Sequence, residues 1–342
     1  MSYETTNYLP KGVTIRQAAE FAALLGYKRN GSYSHLGQPK TLSMIFFDET
    51  DYRSWETVEL SIGISKDKAC IYVGTRTRVG RSHYDFAMQN RTVREFKKRF
   101  GGTSYRDGGN GEGYDPGPPP PPAASGCYLA ICRLDWNLTR IHHYLIFNKI
   151  NNDDSPLKSM ETIWPVMREL NHDVFLSNTL VAYLVGTMED YFKSTYISLL
   201  KYSDRKSNIL RGIRLSGEQL SQISAGHLTV EQAAAEHLPF QRLSAIGRHF
   251  ADIDQNLDIL GPLKRPYRRR KETLLETLEA LITRRHALIH GMDFDIALDR
   301  KRLDQLIHDL TVSISRVYEG VTRRYNWQCK MPISSNFPSA TK

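Results

Sequence analysis

The sequence predicts an α+β N-terminal domain followed by an all-helical C-terminal bundle. Up to about residue 150, β-rich runs alternate with short helical segments and a Gly- and Pro-rich stretch. From residue 155 to residue 325, apolar residues recur at the three- and four-residue spacing of amphipathic helices. The 342 residues and the 40% apolar content are sufficient for two cores. We therefore expect one domain over residues 1–150 and a second over residues 155–325.

The predicted N-terminal domain combines two helices with a small sheet. Residues 14–25 have the apolar spacing of an amphipathic helix, and residues 92–100 indicate a basic helix. Between them lie three β-rich runs, and the last two are separated by Ser65–Lys68, which is typical of a hairpin turn. These runs are Leu42–Phe47, Val58–Ile64 and Ala69–Val73.

The stretch from Gly101 to Gly126 contains Gly-Gly-Asn-Gly-Glu-Gly and five consecutive prolines. Such a composition buries little surface and suits neither a helix nor a β-ladder, so we expect a flexible insertion. The runs Cys127–Cys132 and Ile141–Phe147 have the composition of strands, which indicates that the insertion interrupts the N-terminal domain. The polar segment Asn151–Pro156 is the expected domain boundary.

Composition restricts the location of the protein and the class of its partner. The formal net charge of +9 favours a polyanion, because Lys and Arg that neutralise phosphates release condensed counterions, although charge alone does not distinguish RNA from DNA or an acidic membrane. The four cysteines form no CxxC pair and are expected to be free thiols in a reducing compartment. Neither a secretory signal nor an apolar run of membrane-spanning length is recognisable. We expect a cytoplasmic protein that does not bind a membrane.

Four principal helices are expected in the C-terminal bundle. Their apolar stripes lie within residues 180–199, 243–260, 272–290 and 303–321. Core packing alone explains each stripe.

The third of these helices carries a charge where its apolar face would otherwise be continuous. A helical wheel places Arg285 near the middle of the stripe, where a guanidinium is costly unless it is paired or open to a cleft. His286 and His290 lie at the edge of the stripe. Arg284 points elsewhere and is expected to be solvated or to contact a phosphate.

Arg285 and His290 form the candidate catalytic pair. They are about 140° apart around an ideal helix, so both can address one phosphate only where the helix ends or distorts near His290. Gly291 is a suitable stop. In such a site Arg285 would hold a scissile phosphate and neutralise charge in the transition state, while His290 moves protons near neutral pH.

The segment Arg285–His290 resembles the motif of HEPN nucleases, in which an arginine, a polar residue and three further residues precede a histidine. His286 occupies the polar slot. Residues Leu180–Lys193 resemble the first long helix of that family, whose apolar stripe commonly ends in an acidic residue and aromatics. The resemblance covers about half of the chain, and the place of the motif late in a helical bundle makes the match more specific.

This resemblance implies a metal-independent endoribonuclease with no cofactor, in which the RNA 2′-hydroxyl attacks the adjacent phosphate and leaves a cyclic phosphate and a 5′-hydroxyl end. It also implies a role in phage defence, abortive infection or a toxin–antitoxin system, with a regulatory protein or a phage-derived trigger. HEPN nucleases generally build their site between two copies, which implies a homodimer through the bundle, with the helices over residues 272–290 near the axis. Glu189 would orient Arg285 or His290, whereas Asp190 falls on the opposite face.

A basic segment leads directly into the motif helix. Six of its eight residues are Lys or Arg, and we expect it to bind the RNA backbone, with Tyr267 able to stack on a base. A solvated loop and a localisation signal are the other interpretations. The segment consists of Lys264, Arg265, Pro266, Tyr267, Arg268, Arg269, Arg270 and Lys271.

Three other interpretations of the motif exist, of which the first, a zinc site, is set aside. His286 and His290 are four residues apart, as zinc ligands on one helix face can be, but Ala287 stands where a His-Glu-x-x-His site has its glutamate. A structural arginine with two incidental histidines is the second interpretation. The third is a catalytically silent HEPN-like module that binds RNA or a protein.

Overall fold

The computed structural model describes residues 2–34, 40–65, 69–107, 109–110, 113–151 and 172–327. The chain divides into two compact units, residues 1–125 and 126–342. The first unit is α+β and the second is helical, which confirms the predicted fold class. The division lies about 25 residues before the expected boundary, because residues 122–151 form one helix instead of returning to the sheet.

The first unit contains an antiparallel sheet, for which the described residues supply seven strands. In chain order these are β1 (Ser2–Tyr8), β2 (Lys28–Tyr33), β3 (Thr41–Phe46), β4 (Val58–Ile64), β5 (Ile71–Arg78), β6 (Thr103–Arg106) and β7 (Gly109–Asn110). Their order across the sheet is β2-β3-β4-β5-β1-β6-β7, and neighbouring strands are antiparallel throughout. A short 3₁₀ helix, Thr50–Tyr52, follows β3.

Two helices pack on this sheet, α1 (Ile15–Leu24) and α2 (His83–Phe100). Each begins at a capping box, formed by Thr14 with Gln17 and by Ser82 with Asp85, which satisfies backbone N–H groups at the helix start. Alternate residues of the strands face these helices and join one apolar core. Its buried members are Leu9, Ala18, Ala22, Tyr27, Met44, Val58, Leu60, Ile62, Ile71, Val73, Met88 and Phe96.

The helix predicted over residues 14–25 and the three predicted strands are confirmed, within one or two residues at most ends. β4 and β5 pair in antiparallel register with Ile64 opposite Ile71, as a hairpin requires, although residues 66–68 of its turn lie outside the described residues. The predicted basic helix is the C-terminal half of α2. The other strands were not predicted, because β2 is polar and exposed and β7 has two residues.

The prediction of a flexible insertion over residues 101–126 is wrong for its described part. β6 and β7 lie within it, and the ring of Tyr114 stacks on Phe86 at 5.4 Å between centroids. The Tyr114 hydroxyl donates to the Glu4 carbonyl oxygen at 2.7 Å, and Asn90 Nδ2 donates to the Tyr114 carbonyl oxygen at 2.7 Å. One aromatic residue therefore anchors a segment whose glycines and prolines bury little by themselves. Residues 108, 111 and 112 lie outside the described residues.

The prediction of strands at Cys127–Cys132 and Ile141–Phe147 is also wrong. Both runs belong to one helix, α3 (Pro122–Asn151), which has proline at its first residue. Cys127, Tyr128, Ile131, Leu134, Leu138, Ile141 and Leu145 are buried, and most of them follow the three- and four-residue spacing of one helix face.

The second unit is helical throughout its described residues. After α3 come α4 (His172–Lys201), α5 (Lys206–Arg211), α6 (Gly217–Ser224), α7 (Val230–Glu236), α8 (Leu243–Ile253), α9 (Gly261–Lys264), α10 (Leu274–Gly291) and α11 (Arg300–Arg324). The central helix α4 contacts α7, α8, α10 and α11. The four predicted principal helices are confirmed as α4, α8, α10 and α11, although α8 ends seven residues before residue 260. Residues 152–156 of the expected boundary lie outside the described residues.

Two further predictions concern cysteines and membranes. Cys70, Cys127 and Cys132 carry thiols and form no disulfide, as predicted, while Cys329 lies outside the described residues. In the described part of the chain, no helix has the length and apolar character that crossing a bilayer requires.

Candidate functional site

Helix α10 contains the motif Arg285–His290. The local sequence determines where this helix begins. Thr273 caps the helix, because its side chain accepts a hydrogen bond from the Glu276 N–H while its own N–H donates to the Glu276 carboxylate at 2.7 Å. Four leucines, at positions 274, 278, 281 and 288, are buried on one face of the helix. Arg285 lies on the same face at the predicted position, and its side chain is half-buried.

The end of α10 differs from the expectation in one detail. Gly291 is the last helical residue, and Met292 adopts the left-handed conformation with φ of 51°. The Met292 N–H donates to the Leu288 carbonyl at 3.1 Å, and the Asp293 N–H donates to the Ala287 carbonyl at 3.4 Å. The helix is therefore hydrogen-bonded through His290, and no unwinding brings His290 toward the face of Arg285.

The Arg285 guanidinium interacts electrostatically with the carboxylate of Glu189, a half-buried residue of α4. Burial raises the pKa of the Glu189 carboxyl, and the Arg285 guanidinium and the Gln241 side chain oppose that rise only in part. One carboxylate oxygen, Oε1, is buried and accepts no hydrogen bond. A half-buried carboxyl with an unsatisfied oxygen costs stability, and such groups are frequent at functional sites.

His286 and His290 face solvent, one turn apart on α10. Their side chains are exposed, and their ring centroids are 4.4 Å apart with the planes tilted by 48°. The structure thus brings the two imidazoles together, while Arg285 turns toward α4. In one copy of the chain the candidate arginine and the candidate histidines occupy different faces of α10.

Arg284 makes a contact that its sequence position did not suggest. Its Nη2 forms an ion pair with Asp295 Oδ2 at 2.8 Å while its side chain is 33% exposed, so contact with a phosphate stays a prediction. Asn178 of α4 fixes the same loop, since its Nδ2 donates to the Asp295 carbonyl at 3.0 Å and its Oδ1 accepts from the Asp295 N–H at 2.9 Å. Arg284 therefore joins the end of α10 to a loop that α4 holds in place.

Tyr267, in the basic segment, is 8% exposed and does not offer its ring to a base. The guanidinium carbons of Arg268, Arg270 and Arg316 lie 5.2, 5.3 and 5.2 Å from its ring centroid. Its hydroxyl bonds to Nε2 of His308 at 2.8 Å. Burial and the nearby Arg268 cation lower the pKa of His308, which suits a neutral ring that accepts at Nε2. The prediction that Tyr267 stacks on RNA is wrong, because its ring is buried beneath three guanidinium groups and presents no free face to a base.

Arg270 is also engaged within the protein. Its Nη1 lies 2.6 Å from Oδ2 of Asp309, which is 2% exposed and also accepts from Gln305 at 2.7 Å. Removing one partner of a buried pair typically costs about 3–5 kcal/mol, so Arg270 holds the segment against α11. The remaining cations of the predicted RNA-binding set are exposed: Lys264, Arg265, Arg268, Arg269 and Lys271.

An apolar surface at the end of α10 was missed by the sequence analysis. Met292 is 74% exposed, and Ile289, Ile296 and Phe175 are about half exposed. Phe175 stacks on Phe294 with centroids 5.6 Å apart. Ile289 lies within the stretch 272–290 for which core packing was expected, but α10 turns it outward beside His290. We call Phe175, Ile289, Met292 and Ile296 the end patch; exposed apolar clusters of this kind mark interaction surfaces.

A search of the described residues finds no group of three or more His, Cys, Asp or Glu side chains arranged to hold a metal ion. The part of the chain that the structure describes thus offers the His286–His290 pair no third ligand. No family model, curated protein or solved structure matches this chain.

Proposed function

We propose that the C-terminal unit is an endoribonuclease of the HEPN type that needs no metal ion. The observation that carries this proposal is the place of Arg285. It interrupts a buried leucine stripe, acts on the half-buried Glu189, and is followed within two turns by two exposed histidines at the helix end. A half-buried guanidinium costs desolvation free energy, and its position near two imidazoles suits a site that binds a phosphate and transfers protons.

In the proposed reaction the RNA 2′-oxygen attacks the adjacent phosphorus, and the bond from phosphorus to the 5′-oxygen breaks. One histidine accepts the proton of the 2′-hydroxyl, and another donates a proton to the departing 5′-oxygen. Arg285 offsets the charge that accumulates on the phosphate oxygens, and Glu189 positions Arg285. The nucleophile belongs to the substrate, so the reaction does not require a metal-activated water.

Two copies of the chain form the proposed site. Within one copy Arg285 faces α4 while His286 and His290 face outward, so a second α10 across a two-fold axis would complete the set around one phosphate. The end patch supplies apolar surface for that contact directly beside the histidines. We therefore propose a homodimer whose α10 helices meet near this patch, with the exposed cations of the basic segment flanking the RNA groove.

We expect the purified protein to cleave RNA at an undiminished rate in excess EDTA. The products should carry 2′,3′-cyclic phosphate and 5′-hydroxyl ends, which end-group analysis by phosphatase and kinase treatment detects. Cleavage that stops with EDTA and returns with zinc or magnesium would contradict the mechanism. Products with 5′-phosphate ends would contradict it equally, because they require attack by water.

Glu189 gives a second prediction, with a defined dependence on pH. Glu189→Gln should slow cleavage, because Arg285 loses the charge that positions it, yet the variant should melt at the same or a higher temperature at neutral pH. The folded state raises the pKa of Glu189 above its ordinary 4.5, so wild-type stability falls as the pH rises through the raised value. The uncharged amide of the variant does not ionise, so it does not lose stability in this way as the pH rises. About 1 kcal/mol corresponds to roughly 2–4 °C in a unit of this size.

The same comparison of melting temperatures at low pH serves as the control for Glu189→Gln. Below pH 4.5, wild-type Glu189 is protonated in both states, so the difference in melting temperature should shrink toward zero. Calorimetry across this range gives the measurement. A variant that melts well below wild type at neutral pH would show that Glu189 serves chiefly to stabilise the fold.

A catalytically silent module that binds RNA or a protein is the alternative function. The presence of both Arg285 and His290 favours the nuclease, since binding alone does not need a side chain that can transfer protons. For the cellular role we propose an effector of a phage-defence, abortive-infection or toxin–antitoxin system. The N-terminal unit would then receive the regulatory protein or trigger.

A further inference from the structure

Helix α3 carries an aromatic side chain that the fold leaves on the surface. Trp136 is 60% exposed, while Leu134 and Leu138 on the same helix are buried. One turn later, the Arg140 guanidinium lies 5.7 Å from the centroid of the Trp136 ring, and no ion pair with a described carboxylate engages it. Indole and guanidinium together leave apolar area and positive charge exposed at one place.

Arg133, one turn before Trp136, fixes this surface relative to the candidate site. Its Nη1 lies 3.4 Å from Asp190 Oδ2 and 3.3 Å from the Ser194 hydroxyl oxygen, both on α4. Asp190 directly follows Glu189 in the sequence. A groove of about 590 Å³ runs along the same part of α4, lined by Glu189, Asp190 and Lys193 among others. Arg133 therefore links α3 to Asp190, one of the residues that line this groove beside Glu189.

The charges on this face suit a nucleic acid more than a protein. Asp135 is the one acidic residue in the sequence of α3; it is half-buried, and burial raises the pKa of its carboxyl. Arg133 and Arg140 lie on either side of Trp136 and are exposed. A cation beside an exposed aromatic ring matches the repeat of single-stranded RNA, in which each base is joined to a phosphate and every base has a face that can stack.

We propose that Trp136 and Arg140 form a binding subsite for single-stranded RNA, in which the indole stacks on an unpaired base and the guanidinium pairs with a neighbouring phosphate. The inference rests on the proposed function, because it extends the substrate of that site beyond the scissile phosphate. It predicts that the enzyme prefers unpaired regions, since a base in a duplex does not offer its face.

Binding and cleavage are tested separately with a 2′-O-methyl oligouridylate of about twelve nucleotides, a length within the usual site sizes. It lacks the attacking hydroxyl, so the proposed reaction leaves it intact. Fluorescence anisotropy of the labelled oligonucleotide gives Kd for the full-length protein, and indole emission reports stacking directly. Trp136→Ala should raise Kd by about tenfold, within the range found for loss of one base–aromatic stack.

Three further variants sharpen the result. Trp136→Tyr should keep most of the affinity but lose most of the quenching of tryptophan emission that the oligonucleotide causes. Arg140→Ala should reduce the slope of log K against log salt by about 0.7, as expected for one lost phosphate contact on a single strand. Leu220→Ala is the matched control, because it removes an apolar side chain of similar exposure from α6. It should change neither Kd nor the slope of log K against log salt.

Equal Kd values for wild type, Trp136→Ala and Arg140→Ala would overturn the subsite. A change of sedimentation mass in Trp136→Ala without a change in Kd would also overturn it, because the surface would then contact protein. If wild type cleaves unmodified RNA while these variants bind normally, the subsite fails and the proposed nuclease stands. If wild type neither binds the oligonucleotide nor cleaves RNA, both proposals fail.

Discussion

Arg285→Ala and His290→Ala should each reduce RNA cleavage by at least about 10²–10³-fold, while the protein remains folded. Removing one group that stabilises developing charge, or one proton-transfer group, typically has an effect of this size. The expected loss lies in the catalytic step, so single-turnover rates should fall while affinity for uncleavable RNA changes much less. His290 is exposed, and its loss should leave the melting temperature unchanged within about 1–2 °C.

The matched control for Arg285 is its neighbour. Arg284→Ala breaks the 2.8 Å ion pair with Asp295 and should lower stability modestly, with cleavage retained within a few-fold. An equal loss of cleavage in both variants would mean that the wrong arginine has been assigned. Arg285→Ala also leaves Glu189 without its neighbouring cation, which raises the cost of its buried charge. The double variant Arg285→Ala, Glu189→Gln removes that cost because residue 189 is then uncharged. If the double variant regains RNA cleavage, the loss in Arg285→Ala came from a damaged fold and not from a missing catalytic group.

Charges introduced into the end patch should abolish both the dimer and the cleavage. Ile289→Glu with Met292→Glu places two carboxylates on exposed apolar positions beside His290, where they would be buried against their own copies in the dimer. Sedimentation should then give the mass of one chain of 39.2 kDa instead of two. Wild-type protein should lose specific activity on dilution in proportion to its loss of dimer.

Leu220→Glu is the control for this experiment. Leu220 is exposed to a similar degree on α6, so its substitution by glutamate should leave mass and activity unchanged. A double variant that sediments as a monomer yet cleaves RNA at the full rate would refute the shared site. Arg285 and His290 would then have to reach one phosphate within a single copy, against the regular hydrogen bonding of α10 through His290.

The sequence predicted elements whose apolar residues have a clear period, and failed where composition and period disagreed. α10 and α11 repeat their leucines and isoleucines over many turns. In α3 the runs near Cys127 and Ile141 contain the aromatic and branched residues typical of strands, and these outweighed the helical spacing that joins them. Read as one stretch from Cys127 to Phe147, the same positions would have indicated a helix.

The positions of Arg285 and Glu189 could be predicted because each depends on a single helix. The wheel alone placed Arg285 on the buried face, and Glu189 was chosen from the resemblance of Leu180–Lys193 to a family helix whose apolar stripe ends in an acidic residue. The roles of the basic segment were not predictable in this way, because they depend on partners far away in the sequence. Tyr267 meets His308 across 41 residues and Arg270 meets Asp309 across 39. Local pattern cannot reveal a buried acid that arrives from another helix.

The bonds from Asn178 to Asp295 join residues that are 117 positions apart in the sequence. Closing so long a loop costs chain entropy, so we expect this end of the bundle to assemble after its more local parts. A nascent chain still ending before Asp295 lacks the anchor that holds the loop after α10, together with the ion pair of Arg284. Under the proposed function, the site on α10 would therefore not be complete until Asp295 had left the ribosome, and the RNA of the translating cell would not meet an active nuclease before that point.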